Sequence, residues 1–321
     1  MISLGTVAAR IEAFSESTTK LTGSLVSALT GLEQLQYHTL IVTTGDAPLT
    51  PDSFVPAAGS AESRLLDALT FRRAIAGVLD QYGKLLVSIG SGDQEGQIEK
   101  TRQLLDAATS ELGAATPDGD TSIVSANQDL TRDTSQVGTL AASGAKAKLV
   151  KIAESVQGAL GFVSKVARDS SAGGIAGGIF IASTHIEQAV RQKHGMNFLM
   201  TMIPSAQTDV EALCQVIVQG EAPLAAASAA LVERALSFNN ARRPDKNAPA
   251  RVSYDFAMAS LLQDAREFTK SMTASADGIR QLPAAHEEIG HLLADVPTPG
   301  EAIRALVSAA EHSLRRRAKA K

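Results

Sequence analysis

Tryptophan is absent from this chain, cysteine occurs once, and aromatic residues make up 4% of its 321 positions. So few rings argue against an aromatic-lined pocket, and apolar content that is mostly Ala, Leu, Val and Ile favours close-packed helices over a sheet protein. A single cysteine, Cys214, excludes an intrachain disulfide and leaves the cell compartment open. Its place on an apolar stripe makes it a small buried residue. No stretch reaches the 18 or so apolar residues of a membrane-spanning helix. The opening residues, Met1 to Gly5, have neither the basic stretch nor the apolar core of a signal peptide. A general excess of positive charge is also missing: the formal net charge is −4. A nucleic-acid binder needs a basic face, so a nucleic-acid partner is not expected. The one basic run, Arg315 to Lys321, lies at the end of the chain, where cations suit the negative pole of a helix.

What is present is aliphatic. Hydrophobic residues make up 44% of the chain, mainly Ala, Leu, Val and Ile, and they recur with helical period. Val7, Ile11, Phe14, Thr18, Leu21, Leu25, Ala28, Leu32, Leu35, Thr39 and Val42 alternate steps of four and three. They predict one long helix, with Gly23 and Gly31 marking a bend or a close helix approach. Prolines at 48, 51 and 56 predict a connection over 45–59. A second stripe follows through Ala68, Phe71, Ile75, Val78, Tyr82, Leu85 and Ile89. Ile98, Leu104, Leu105 and Leu112 anchor a third helix, and 120–169 reads as mostly helix. Helical spacing resumes over 185–203, where Pro204 is expected to end one element or open the next. Val210, Cys214, Ile217, Leu224, Leu231 and Phe238 form a further stripe, with a break expected near Gly220 because Pro223 follows. Asn239 to Ala250 reads as a linker. Tyr254, Met258, Leu261, Phe268 and Met272 form another helix, and Pro283 opens a short one. Thr298, Pro299 and Glu301 suit the N-cap, N1 and N3 positions of the last helix.

No convincing strand alternation appears. The expected fold class is all-α, an elongated bundle of long antiparallel helices with coiled-coil-like packing. Residues 1–240 are expected to form the main helical bundle. Residues 241–321 supply C-terminal helices packed on it as one unit.

Little of the sequence carries chemistry. His286 and His291 are five residues apart, which turns their rings about 140° from each other on a helix. A shared metal needs spacing of four, so both read as surface histidines. His185 and His194, nine apart, are no better placed. The run Gly173 to Gly178 lacks the Lys-Ser/Thr of a phosphate loop. It sets Gly173 over Gly177 and Gly174 over Gly178, spacing that suits tight helix contact. Phe198, Met200, Met202 and Ile203 read as core first and a partner groove second. No catalytic, cofactor-binding or metal-ligating residue emerges, and no cofactor is implied.

The pattern of long apolar stripes resembles two groups of all-helical bacterial proteins. One is the elongated helical pore-forming toxins, which hide an apolar segment in their soluble form. The other is helical envelope or scaffold proteins. Neither resemblance carries residues over. The expected function is a non-catalytic structural or interaction protein whose partner is another protein or a second copy. The alternative is a membrane-interacting protein that uses the glycine-rich apolar segment 171–203 on a membrane surface.

Overall fold

The structure, a computed structural model, describes residues 4–44, 55–91, 182–240, 250–294 and 300–318, together with 100, 103, 104, 107, 108 and 111. Among these residues the protein is all-α, with no strand. The helices are α1 (Leu4–Thr44), α2 (Ala61–Ser91), α3 (Ala182–Gln219), α4 (Glu221–Asn240), α5 (Ala250–Ile279), α6 (Leu282–Leu293) and α7 (Glu301–Ala318). Residues 120–169, expected to be mostly helix, and the glycines at 173–178 lie outside the described residues.

The centre of the described structure is α1. It packs on α2, α4, α5, α6 and α7. Its 41 residues run about 60 Å at 1.5 Å per residue. Every member of its predicted stripe from Val7 to Thr39 is buried. A helix with neighbours on several sides needs more buried positions than one stripe supplies. Here Ser15, Ser17, Thr22, Ser24, Leu29 and Gln36 are buried as well. Small hydroxyl residues tolerate this because their donors can bond to the helix itself. The Thr18 hydroxyl donates to the Phe14 carbonyl at 2.8 Å, and Thr22 donates to the Thr18 carbonyl at 2.9 Å. Gly23 and Gly31 do not mark close approaches. A Cβ on either would find nothing within 4 Å.

The α2 stripe from Ala68 to Ile89 is buried throughout. Its N-terminus is capped by Ser60, whose hydroxyl accepts the Ser63 N–H at 3.1 Å. Of the anchors expected in the third helix, Leu104 falls among the described residues, where it is helical but 46% exposed. Pro204 neither ends nor opens a helix, since α3 continues through it. Proline removes the bond to the carbonyl four residues earlier. That carbonyl belongs to Met200, and both Met200 and Pro204 are exposed, so the freed group lies on the solvent side.

The break at Gly220 appears as expected, between α3 and α4. The buried Arg72 guanidinium lies over Gly220, where a Cβ would overlap it. The last helix begins later than its sequence suggests. α7 starts at Glu301, directly after Gly300, whose φ is +71°. Its first free amides are bound from another helix: the Glu288 carboxylate on α6 accepts the N–H groups of Ala302 at 2.9 Å and Ile303 at 3.2 Å. The negative charge also suits the positive pole of α7.

Candidate functional site

The polar groups with the most elaborate geometry lie inside the protein, where α1, α2, α3 and α6 meet. His286 was expected at the surface, and this is corrected: it is 0% exposed. The reason is visible in its neighbours. Leu282, Ile289 and Leu293 continue the four-three spacing through position 286, so His286 occupies a core position of α6. His291 lies on the other side of the helix and is exposed, as expected.

Each ring nitrogen of His286 has a defined partner. Nδ1 lies 2.6 Å from Oε1 of Gln207 on α3, and Nε2 lies 2.8 Å from the Tyr82 hydroxyl on α2. The amide of Gln207 fixes the proton positions. Its Nε2 donates to Glu211 Oε1 at 2.8 Å and to the Pro283 carbonyl at 3.1 Å. Both partners are acceptors, so Oε1 is the end that faces the imidazole, and Nδ1 must carry the hydrogen. Nε2 then accepts from the phenol. Phe14 of α1 completes the surroundings, with its ring centroid 5.8 Å from that of His286.

The electrostatics agree with this neutral arrangement. Burial pushes the His286 imidazole down to about 3, so it is uncharged at neutral pH. Burial, followed by the negative charge of Asp209, pushes the Tyr82 phenol well above its usual range. Cys214 is buried as predicted, and burial followed by the charge of Glu211 raises its thiol. A buried, protonated thiol is neither an effective nucleophile nor a metal ligand.

Two further polar sets tie helices together. Ser313 of α7 donates to Ser24 Oγ of α1 at 2.6 Å, and Ser275 of α5 donates to the same oxygen at 3.1 Å. All three serines are buried. Glu288, besides holding the start of α7, pairs with Arg10 of α1 at 3.3 Å. Among the described residues, no group of three or more His, Cys, Asp or Glu could hold a metal ion.

The segment 171–203 can be followed in part. Residues 182–203 form the first half of α3, where Met196, Leu199 and Ile203 are buried and Met200 is 43% exposed. Residues 171–181, and the side chains of His185, His194, Phe198 and Met202, lie outside what is described. Among the described residues, the stretch long and apolar enough to cross a membrane by length and composition is a different one, Ala206–Phe238. It contains the Gly220 break, and half of its most apolar window is buried.

Sequence reasoning missed the Tyr82–His286–Gln207 set. Tyr82 and His286 each sit on an apolar stripe, and that signal was available. Gln207 has no such mark, and nothing in the sequence joins three residues so far apart. No protein-family model matches this chain, and neither a curated protein nor a solved structure matches it significantly.

Proposed function

We propose that this chain is a non-catalytic helical interaction protein, built as an elongated antiparallel bundle with coiled-coil-like packing. The order of contacts supports the antiparallel part. Along α1, Thr19, Glu33 and Gln36 meet Asp80, Arg73 and Glu62 of α2, so one helix is read upward as the other is read downward. Against α5, Ser24 meets Ser275 and His38 meets Asp264, again in reverse order. The steps of four and three in the stripes support the packing mode.

The observation that carries the functional reading is where the polar groups point. The buried imidazole bonds to the buried phenol and to the half-buried Gln207 amide, and the buried serines bond to one another, in each case across helices. The apolar side chains left outside include Val252 and Phe256, 77% and 76% exposed and one turn apart on α5. Adjacent exposed apolar residues of this size suit contact with another protein surface. A partner protein or a second copy of the chain fits that surface.

Sedimentation velocity over a wide concentration range tests this. Self-association that disappears in the double variant Val252→Ser/Phe256→Ser supports contact through the α5 face. A monomer at every concentration removes self-association and leaves only a different protein as partner.

A further inference from the structure

We propose that His286 is an acid-sensitive latch: protonation of its Nε2 releases α6 from Tyr82 of α2 and Gln207 of α3 while the other helices around α1 stay packed.

The argument begins with hydrogen-bond capacity. Gln207 grips α6 at two points, the Pro283 carbonyl and the Nδ1–H of His286. Tyr82 grips it at a third, through Nε2. In the neutral ring every one of these groups has a suitable partner. A proton on Nε2 turns that atom into a donor facing a hydroxyl that is also donating. The phenol must rotate its hydrogen away, and one of the three tethers is lost or inverted. The resulting cation would sit at a position 0% exposed, against Phe14, Tyr82 and Gln207, none of which carries charge.

The charged groups around the latch are otherwise engaged. On α3, Glu211 accepts from the Gln207 amide, and buried Asp209 acts through its charge on the Tyr82 phenol. On α6 itself, Glu288 holds Arg10 and the first amides of α7, and Glu287 is exposed. On α1, Arg10 is paired with Glu288 and Lys20 with Glu16. On α2, Asp80 is held by Lys84 and Thr19. From α7, the backbone of Ala302 and Ile303 meets Glu288.

Release of α6 is the low-cost response because the helix is short, 12 residues. By contrast α1 is packed against five helices. Once freed, the imidazole titrates near its ordinary value of about 6.5. Burial holds the closed form near 3, so the closed form does not take up the proton between these two values. Stability at the latch is therefore complete above about pH 6.5 and is lost as pH falls toward 3. Within that window each pH unit raises the open-to-closed ratio about tenfold.

Hydrogen–deuterium exchange on the full chain tests this, with protection factors corrected for the intrinsic pH dependence of exchange. Between pH 7.5 and 4.5 the amides of α6 are expected to lose about 100-fold in protection. Those of Leu21 to Leu35 in α1 should stay at least about tenfold better protected than α6. The His286→Gln variant, which keeps an amide donor and acceptor but does not titrate, should show no such fall. A flat profile in the native chain would overturn the latch. So would an equal loss in α1, or an unchanged loss in His286→Gln. Nitrogen-15 spectra of the native chain give a second reading that needs no variant. They should show His286 neutral with hydrogen on Nδ1 down to pH 5, and a charged ring in the folded protein at pH 6 would overturn the proposal.

Discussion

Replacing Phe14 with alanine is expected to lower the stability of the folded chain by about 3–5 kcal/mol. Phe14 is 2% exposed on the helix that most of the others pack against. Truncation leaves a cavity beside the backbone of a 41-residue helix, which cannot readily collapse into it. The same cavity removes the ring that lies against His286, 5.8 Å between centroids. The loss is a large share of the roughly 5–15 kcal/mol that holds a typical domain together. Urea titration checks this: the midpoint should fall sharply at an unchanged slope. A shift equivalent to less than about 1 kcal/mol would mean that Phe14 is not in the core described.

Gly195→Ala is expected to cost about 1–3 kcal/mol, although alanine favours helix over glycine by up to about 1 kcal/mol. Gly195 lies on α3 where it crosses the end of α2, and a Cβ there would overlap the Ile89 carbonyl oxygen. A backbone oxygen cannot rotate away as a side chain can, so the two helices must separate and Met196 and Leu199 lose contact. The control is Gly23→Ala in α1, where a Cβ meets nothing within 4 Å. There the helix preference is unopposed, and the substitution should stabilise by about 0.5–1 kcal/mol. Thermal melts of the two variants should therefore move in opposite directions. If both move upward, α3 does not approach α2 as closely as the structure has it.

These two glycines also show how far the sequence could be read. Glycine says only that a Cβ is absent, and the reason depends on a partner distant in the chain. Gly23 and Gly31, read as marking a bend or a close approach, face open space, whereas Gly195 drew no attention and is a contact point. Apolar spacing was legible because it is a local property. The stripes of α1 and α2 are buried almost throughout, although each helix buries further residues outside its stripe. Breaks were legible where a proline could not be accommodated, as at Gly220 and Pro223. They were misjudged at Pro204, which α3 accommodates on an exposed face.

The polar joint was partly hidden. Treating His286 and His291 as a failed metal pair drew attention to their spacing from each other and away from the stripe of Leu282, Ile289 and Leu293 that His286 shares. The start of α7 was hidden for another reason. Its capping carboxylate comes from Glu288 on the preceding helix, a residue that the local sequence pattern does not mark as a cap.

Both the interaction reading and the acid latch depend on helices running opposite to α1 along its length. Paired spin labels measure that directly, in a Cys214→Ala background to leave no native thiol. One label goes on exposed Glu16 of α1, with the second on either Lys84 or Asp67, both exposed on α2. The two α2 positions are about 25 Å apart along the helix axis. The account predicts a short distance from Glu16 to Lys84 and a distance to Asp67 longer by roughly 20 Å. The reverse order, with Asp67 the nearer, would contradict it.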